Sequence, residues 1–507
     1  MLVGHLETKI LPLWSGLRPS TSAYLRVSIT AHKRASTVSL HHYHHPLTIP
    51  ALARMASSSI VAQARDAEAE SNVTPTGYKP RYIDIGINLA DPIFRGVYNG
   101  KQRHDDDLAG VVGRARQVGC TKLIVTGSSF KSSKDALTIA KQYPGTVYTT
   151  AGIHPCSSSI FDASHPSSHN SNASNQGDDT EEAEHTPACD PDPDAPIPDN
   201  QIVDPAKTAD IIASLRTLIT TSSSEGDGSN PSPLVALGEF GLDYDRLHYC
   251  SRTLQLHSFS AQLSLAAELS PQLPLFLHSR AAHHDFVACL QHAFGPRLER
   301  LERGGVVHSF TGTVDEMTEL MDLGLYIGLN GCSFKTAENC EVVKAVRLDR
   351  LMIETDGPWC EVRPTHEGWK YLVNMDKKER QVEIEAQAQA QVQTNVDSGT
   401  ETPKTDSDVP TENSNGDVKR RFPKKSKQPQ QQSSKKSQKK ESEVIERFKT
   451  VKKEKWVEGA MVKGRNEPCL IDRVAKIVAA IKGVTVEEVC EAAWANTTKV
   501  FRGLDDS

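Results

Sequence analysis

The 507-residue sequence has no Cys-x-x-Cys pair and no apolar run of about 18 residues. Its ten cysteines are scattered without regular spacing, which argues against a disulfide framework and against a structural zinc site. Because a membrane-spanning helix needs about 20 apolar residues, we expect no transmembrane segment and no membrane partner. These absences predict a reduced, intracellular location, in the cytoplasm, the nucleus or both.

The sequence also lacks a strong net charge, since its formal value is -6 at pH 7. Such a balance gives no global attraction to nucleic acid, although a local basic patch can still supply one. Nothing in the composition points to an obligate protein partner.

Residues 1–78 have the composition of an extension rather than of a folded domain. The first 55 residues are rich in Ser and Thr and carry one acid, Glu7, against the basic residues Lys9, Arg18, Arg26, Lys33, Arg34 and Arg54. That balance is typical of a mitochondrial presequence, so the mitochondrion is a further candidate compartment. A disordered extension, or an upstream start with Met55 opening the main product, explains the same residues.

Two low-complexity segments, residues 157–205 and 378–445, are predicted to be disordered loop insertions. The first holds no Lys or Arg, and its polar residues cannot bury enough apolar surface to offset their ordering entropy. The second runs from EAQAQAQVQ to a basic stretch, KRRFPKKSK, which is typical of a solvated loop or of a nuclear-localisation or phosphate-binding patch. Without these segments, residues 79–507 retain roughly 310 residues, enough for one large catalytic domain.

Eight β-rich runs recur along this domain, each followed by a segment of helical character. They are YIDIGIN from residue 82, KLIVTG from 122, VYTTAGIHP from 147, LVALGEFGLD from 234, LPLFLHSR from 273, GGVVHSF from 304, LYIGLNG from 325 and LMIETDGP from 351. Apolar strands that alternate with helices predict a parallel sheet covered on both faces. Eight such units predict an α/β fold, the (β/α)8 TIM barrel. A doubly wound open sheet is the alternative, but YIDIGINLADP lacks the glycine-rich phosphate turn usual after its first strand.

Polar residues concentrate at or just beyond the carboxyl ends of these strands. They are Asn88, His154, Glu239, Asp243, His278, Arg280, His308, Asn330 and Asp356. In a barrel those ends meet on one face, where active sites are found, so we expect the side chains to share one pocket.

A mixed nitrogen and oxygen ligand set within this group suits a divalent cation. Its members are Glu239, His278, His308 and Asp356, which fit one ion, or two that share a carboxylate, with Mg2+, Mn2+ and Zn2+ as candidates. Taken singly, each residue has a structural alternative, such as a hydrogen-bonded histidine or a carboxylate that caps a helix. Water activated by the metal would be the nucleophile, with Glu239 as a central ligand and Asp356 as the group that orients or deprotonates that water.

Three further residues are candidates for contacts with an anionic substrate. Arg280 can bind a phosphate through a bidentate fork, or it can form a salt bridge on the barrel rim. His154 and Asn88 are expected in the same mouth.

The sequence resembles the TatD-related deoxyribonucleases of the metal-dependent hydrolase superfamily. The matching segments include DIGINLADPIFRGVY, AGIHP, ALGEFGLDYDR, LFLHSR, GGVVHSFTGT, LYIGLNGCSFKT, LMIETDGPWC and RNEPC, in family order. The resemblance implies a TIM barrel that hydrolyses DNA phosphodiesters with a divalent metal, commonly Mg2+, often as a 3'-to-5' exonuclease. It implies metal ligation by Glu239, His278, His308 and Asp356, and a substrate role for His154. The chain departs from many superfamily members at the first strand, where Gly86 and Asn88 replace a His-x-His pair, which leaves the number of tightly held metals open.

The leading functional hypothesis is therefore a metal-dependent deoxyribonuclease acting on DNA. One alternative is a metal-dependent amide or ester hydrolase of the same superfamily. The other is a barrel that binds nucleic acid without catalysis, against which the retained ligand set argues.

Overall fold

A computed structural model of the protein describes residues 77–165, 194–198, 200–224, 232–397 and 443–504. The expected extension, up to residue 76, and the central parts of both expected insertions, 166–193 and 398–442, lie outside the described residues. No helix in the described part of the chain is long and apolar enough to cross a membrane.

Eight parallel strands form one sheet whose spatial order follows the chain. They are numbered here β1 (Tyr82–Ile87), β2 (Cys120–Val125), β3 (Val147–Ala151), β4 (Leu234–Asp243), β5 (Leu275–Arg280), β6 (Gly305–Val307), β7 (Tyr326–Leu329) and β8 (Leu351–Ile353). All six residues of β1 and all ten of β4 are buried, because helices cover the sheet on its outer face and side chains fill it inside. The predicted TIM barrel is thereby confirmed.

The barrel closes between β8 and β1 just beyond the end of β8. The backbone N–H of Asp356 donates to the carbonyl of Gly86, and that of Asn88 donates to the carbonyl of Gly357, each at 2.8 Å. The buried carboxyl group of Asp84 adds a side-chain bridge, because its Oδ1 accepts from the backbone N–H of Thr355 at 2.9 Å. The first and last strands are thus joined at the end where the polar residues lie.

Helices alternate with the strands along the chain. They are α1 (Leu108–Gln117), α2 (Phe130–Gln142), α3 (Pro205–Ser224), α4 (Arg252–Glu268), α5 (His283–Phe294), α6 (Val314–Asp322), α7 (Ala337–Ala345), α8 (Trp369–Asp397), α9 (Ile471–Lys482) and α10 (Val486–Val500). Most buried apolar residues pack between these helices and the sheet. A second cluster joins barrel residues such as Ile85 and Phe276 to Phe501 and Leu504 near the carboxyl terminus.

The ordered structure extends further into both expected insertions than the sequence analysis placed it. A 3-10 helix covers Pro155–Phe161, and a β-bridge between Asp162 and Val203 brings the two ends of the first insertion together. Helix α8 continues through Asp397, because the EAQAQAQVQ segment consists largely of good helix formers. Val444 is buried near the end of the second range. Described helices and buried residues thus lie within both expected ranges, 157–205 and 378–445. The bounds of the insertions and their disorder stay predictions.

A buried ion-pair network ties the carboxyl-terminal part of the chain to the loop after β1. The guanidinium of Arg465 pairs with Asp107 and with Glu467, and Arg114 pairs with the same two carboxylates. These four side chains are buried. Residues 465–467 thereby sit beside the closure of the barrel.

Candidate active site at the carboxyl ends of the strands

Three of the predicted site residues, all histidines, surround one carboxylate oxygen of a fourth, Glu239. Oε1 of Glu239, on β4, lies 2.7 Å from Nε2 of His308, 3.1 Å from Nδ1 of His278 and 3.3 Å from Nε2 of His154. All four residues are buried. Because His154 and His308 follow β3 and β6 while His278 lies on β5, the closed sheet brings together residues up to 154 positions apart in sequence.

A backbone hydrogen bond fixes the orientation of His154. Its Nδ1 accepts from the N–H of Cys156 at 3.1 Å, at the start of the 3-10 helix. A neutral imidazole carries a single proton, so Nε2 carries it here and faces Glu239. His154 thus presents a donor to the site, which suits contact with an anionic substrate, although its ring also lies within 4.8 Å of possible ligand atoms of Glu239 and His278.

His278 presents the opposite character. Its Nε2 lies 3.0 Å from Oδ2 of Asp243, a carboxylate that also pairs with Arg246 at 2.6 Å. Since the ionised carboxylate can only accept, Nε2 carries the proton and the lone pair of His278 is on Nδ1. That Nδ1 is buried without a hydrogen bond and faces the Glu239 carboxylate. The lone pair on Nδ1 of His278 and the carboxylate of Glu239 are thus two neighbouring ligand atoms that a divalent cation can bind.

Glu354 approaches His308 from the other side. Its Oε2 lies 3.5 Å from Nδ1 of His308, and both atoms are buried without a hydrogen bond. Room for this carboxylate depends on glycine at two neighbouring strands, because a Cβ on Gly86 would lie 2.3 Å from Oε2 and one on Gly328 would lie 3.1 Å from Oε1. Oε1 itself accepts from the backbone N–H of Ser309 and from Asn330.

The electrostatics make Glu239 a persistent anion. Burial by itself raises the pKa of Glu239, but His308 and His154 outweigh that effect and hold the pKa well below its usual range. The pKa of His308 is raised well above its usual range against its own burial, because Glu239 and Glu354 both attract its proton. Burial dominates at Glu354 and raises its pKa in spite of His308. The cluster therefore combines a fixed negative charge with the lone pair of His278, and a divalent cation would take the place of the proton that the two carboxylates attract to His308.

Asp356 and Asn88 form a second group of polar side chains beside the histidine cluster. The two residues meet because both lie where the barrel closes between β8 and β1. Oδ1 accepts from Nδ2 of Asn88 at 3.2 Å, and Oδ2 accepts from Oγ of Ser309 at 3.2 Å and from Asn330 at 3.4 Å. Asp356 has a φ of 53°, a left-handed conformation that aspartate adopts more readily than most residues. Asn330 joins this group to the first one, because its amide contacts both Asp356 and Glu354.

Arg280 lies at the edge of the same group. Its Nη2 lies 3.5 Å from the carbonyl of Ser309, and its Nε is buried without a hydrogen bond. The structure thus places all seven predicted site residues on one face, with His154, Glu239, His278 and His308 in direct contact and Asp356, Asn88 and Arg280 beside them. Their individual roles stay predictions.

The sequence analysis assigned no role to four residues that shape the site. Asp243 orients His278, Glu354 faces His308, and Ser309 and Asn330 connect Glu354 to Asp356. Asp243 and Asn330 were noted at strand ends, and Glu354, two residues before Asp356, is expected on the same side of an extended chain. The pairing of His278 with Asp243 depends on how the side chains of β4 and β5 face each other, which no local pattern reveals.

A basic rim, formed by Lys452, Lys453 and Lys463, lies near this face. These three side chains line one pocket with Tyr98 and Arg465. The chain then runs from Arg465 to Asn466, whose amide donates to the carbonyls of Thr355 and Trp359 at 2.8 Å each, on either side of Asp356. The basic rim is therefore anchored next to the site.

Aromatic rings accompany the basic rim. The rings of His104 and Trp456 are stacked with centroids 4.8 Å apart, and Nζ of Lys453 lies 4.8 Å from the ring centroid of Tyr98. Lysines beside exposed or half-buried aromatic rings are the combination that single-stranded nucleic acid binds.

Comparisons with known proteins agree with this geometry. A family model described as TatD related DNase matches residues 83–382. The deoxyribonuclease Tat-D of Schizosaccharomyces pombe is 34% identical over 421 residues, which cover 83% of this chain and 96% of that protein. A 3'-5' ssDNA/RNA exonuclease TatD of a Pantoea species is 33% identical over 287 residues, 56% of this chain and 82% of that protein. The crystal structure of an amidohydrolase from Saccharomyces cerevisiae superposes with a TM-score of 0.57 at 29% identity, covering 83% of this chain and all of that one.

Proposed function

The chain belongs to the family of TatD-related deoxyribonucleases, and from that membership we propose that it hydrolyses DNA phosphodiester bonds as a divalent-metal-dependent 3'-to-5' exonuclease. Membership makes it a hydrolase that acts on ester bonds. The direction of cleavage is proposed by analogy with the bacterial relative named a 3'-5' exonuclease.

The observation that supports metal dependence best is the contact between His278 and Glu239. A lone pair on Nδ1 of His278 and the ionised Oε1 of Glu239 face each other at 3.1 Å without a hydrogen bond. We assign Glu239, His278, His308 and Asp356 as the residues that would hold the ion, with Mg2+ as the proposed ion. The imidazole nitrogens also suit Mn2+ and Zn2+, and the separate Asp356 group leaves room in the proposal for a second ion.

A bound divalent cation would supply two effects, lowering the pKa of a water molecule and neutralising charge that develops on the phosphate. The chain's own residues would do the rest. Asp356 accepts the proton of the attacking water, since donors from Asn88, Ser309 and Asn330 hold its carboxylate in place. His154 donates from Nε2 to a phosphate oxygen, and Arg280 binds the same group through its guanidinium.

DNA as the substrate is supported by the basic rim. Lys452, Lys453 and Lys463 can neutralise backbone phosphates, while the neighbouring rings of Tyr98 and Trp456 offer surfaces for unpaired bases. A strand bound along the rim would pass the turn at Asp356, to which the rim is anchored through Asn466.

The proposal is tested with single-stranded DNA labelled at its 5' end, incubated with the purified protein and Mg2+, Mn2+ or Zn2+. We expect a ladder of labelled products that shorten from the 3' end, and no products in the presence of a chelator. Asp356→Asn and His308→Ala should abolish the ladder, whereas the exposed-site variant Asp245→Asn should leave it intact. A protein that degrades no DNA with any of the ions, or an Asp356→Asn variant as active as wild type, would contradict the assignment.

The contribution of the rim is tested separately. Lys452→Gln with Lys463→Gln should raise KM for a long single strand and flatten its dependence on salt concentration, because fewer phosphates are neutralised. Hydrolysis of a small chromogenic phosphodiester should not change, since it reaches the site without touching the rim. Lys134→Gln, on the exposed side of α2, is the matched control.

A further inference from the structure

Two thiols meet at the edge of the candidate site. Cys332 lies in the 3-10 helix Gly331–Phe334 after β7, and Cys360 lies in the turn after β8. Their Sγ atoms are 2.8 Å apart although the residues are 28 positions apart in sequence. A disulfide bond is about 2.05 Å long, so an approach of about 0.8 Å would join them.

The backbones that carry the two thiols are in direct contact. A Cβ on Gly331 would lie only 1.8 Å from the carbonyl oxygen of Cys360, so only glycine permits this approach. Oδ1 of Asn330 accepts from the N–H of Cys332 at 2.9 Å, and Asn466 holds the carbonyl of the neighbouring Trp359 at 2.8 Å. Both segments are therefore fixed at short range before any bond forms between the sulfur atoms.

The thiol pair is connected to Asp356 by a hydrogen bond. The Cys360 thiol donates to Oδ2 of Asp356 at 3.3 Å, on the same oxygen that Ser309 and Asn330 contact. Cys360 is half-buried beside Trp359, which is 41% exposed, whereas Cys332 is buried. A reagent in solvent therefore reaches the pair from the side of Cys360.

We propose that Cys332 and Cys360 are an oxidative modification site whose disulfide form weakens the hold on Asp356 and slows hydrolysis. The co-reactant is a low-molecular-weight disulfide such as oxidised glutathione. Exchange breaks both S–H bonds and the S–S bond of the reagent, forms the Cys332–Cys360 bond, and releases two small thiols that carry the two protons and two electrons. The thiol proton that Cys360 donates to Asp356 is lost in this step.

The size of the effect follows from the role of Asp356. Removing a hydrogen-bond partner from a carboxylate that serves a metal site typically costs about 10- to 100-fold in activity. Since Asn88, Ser309 and Asn330 keep their contacts with Asp356, we expect the lower end, a fall of about tenfold.

The first measurement is independent of activity. The full-length protein is treated with oxidised glutathione, digested without reduction and searched by mass spectrometry for a peptide that links Cys332 to Cys360. We expect this peptide from wild type and from Cys289→Ser, a half-buried cysteine on α5 that serves as the matched control, but not from Cys332→Ser. Absence of the linked peptide from oxidised wild type would overturn the proposal.

The second measurement rests on the proposed nuclease function. Oxidised wild type should lose about tenfold in rate and recover with dithiothreitol. The double variant Cys332→Ser with Cys360→Ser has no thiol at this site, so its own rate should be the same before and after treatment. A linked peptide with an unchanged rate, or an equal loss in the double variant, would refute the coupling to Asp356. If melting curves show that the double variant is destabilised, the pair Cys332→Ala with Cys360→Ser provides the same test. A reduced wild type without nuclease activity would contradict the proposed function alone, because the linked peptide reports the modification by itself.

Discussion

Replacing Asp243 with Asn tests how the site depends on the orientation of one histidine. In wild type the fully buried Asp243 carboxylate accepts from Nε2 of His278 at 3.0 Å, which keeps the lone pair of His278 on Nδ1. Asn offers a side-chain N–H as well as an oxygen, so the ring can reverse its tautomer and place the proton on Nδ1. A protonated Nδ1 cannot ligate a cation.

The expected cost can be bounded from the contacts that change. Loss of the partner that orients a ligating histidine typically costs about 10- to 100-fold in metal affinity or activity. At about 1.4 kcal/mol per tenfold, that corresponds to about 1.4–2.8 kcal/mol. The ion pair between Asp243 and Arg246 is also lost, so the substitution lowers stability as well as altering metal ligation.

Rates are therefore measured across a metal titration together with melting curves. We expect Asp243→Asn to need about 10- to 100-fold more metal for half-maximal rate, and to approach the wild-type rate at saturation. Arg246→Gln removes the ion pair but keeps the carboxylate, and Asp245→Asn changes an exposed neighbour, so both should retain the wild-type metal dependence. An unshifted titration for a folded Asp243→Asn variant would refute the reasoning that Asp243 sets the ligand atom of His278.

Three further outcomes follow from buried contacts. Burial raises the pKa of Asp84 to about 8 against hydrogen bonds from Thr355, so the folded state keeps a proton that the unfolded state releases above about pH 4. The free energy of unfolding of wild type should therefore fall, relative to that of Asp84→Asn, as the pH rises from about 4 to about 8. Urea midpoints measured for both proteins across this range follow the change. A difference between the two proteins that stays constant with pH would contradict the prediction. Gly86→Ala should lower the free energy of unfolding by about 1–3 kcal/mol and reduce activity through the clash with Glu354, whereas Gly113→Ala, with open space around it, should not be destabilising. His154→Gln should retain more activity than His154→Ala, because Gln still supplies a donor; equal rates would contradict the donor role.

The barrel could be predicted because its signal is local and repeated. Runs such as LVALGEFGLD are apolar along their whole length and end on polar residues, and the structure places that run as the buried strand Leu234–Asp243. Helix α8 was partly missed for the opposite reason. The alternating Ala and Gln of residues 386–391 have low complexity, as disordered segments do, but their helix propensity is high.

The site was predictable as a set of residues but not as a set of contacts. The strand-end positions of Glu239, His278, His308 and Asp356 follow from the barrel once the strands are known. Which nitrogen of His278 faces Glu239 depends on Asp243, which lies 35 positions away and meets His278 only when β4 and β5 are paired. The S–S approach of Cys332 and Cys360 likewise depends on contact between two loops.

Gly86 gives a physical reason for the departure from the His-x-His pair at the first strand. The space in which a side chain at residue 86 would begin is filled by Oε2 of Glu354, 2.3 Å from the position of that missing Cβ. This carboxylate reaches from β8 toward His308 and has no hydrogen bond at Oε2. A histidine at residue 86 and the observed position of Glu354 therefore exclude each other. Glycine at residue 86 leaves the first strand without a nitrogen donor there, but the Glu354 carboxylate from the last strand supplies an oxygen donor in the same part of the pocket. The absence of the His-x-His pair therefore does not by itself remove the capacity to hold a divalent cation.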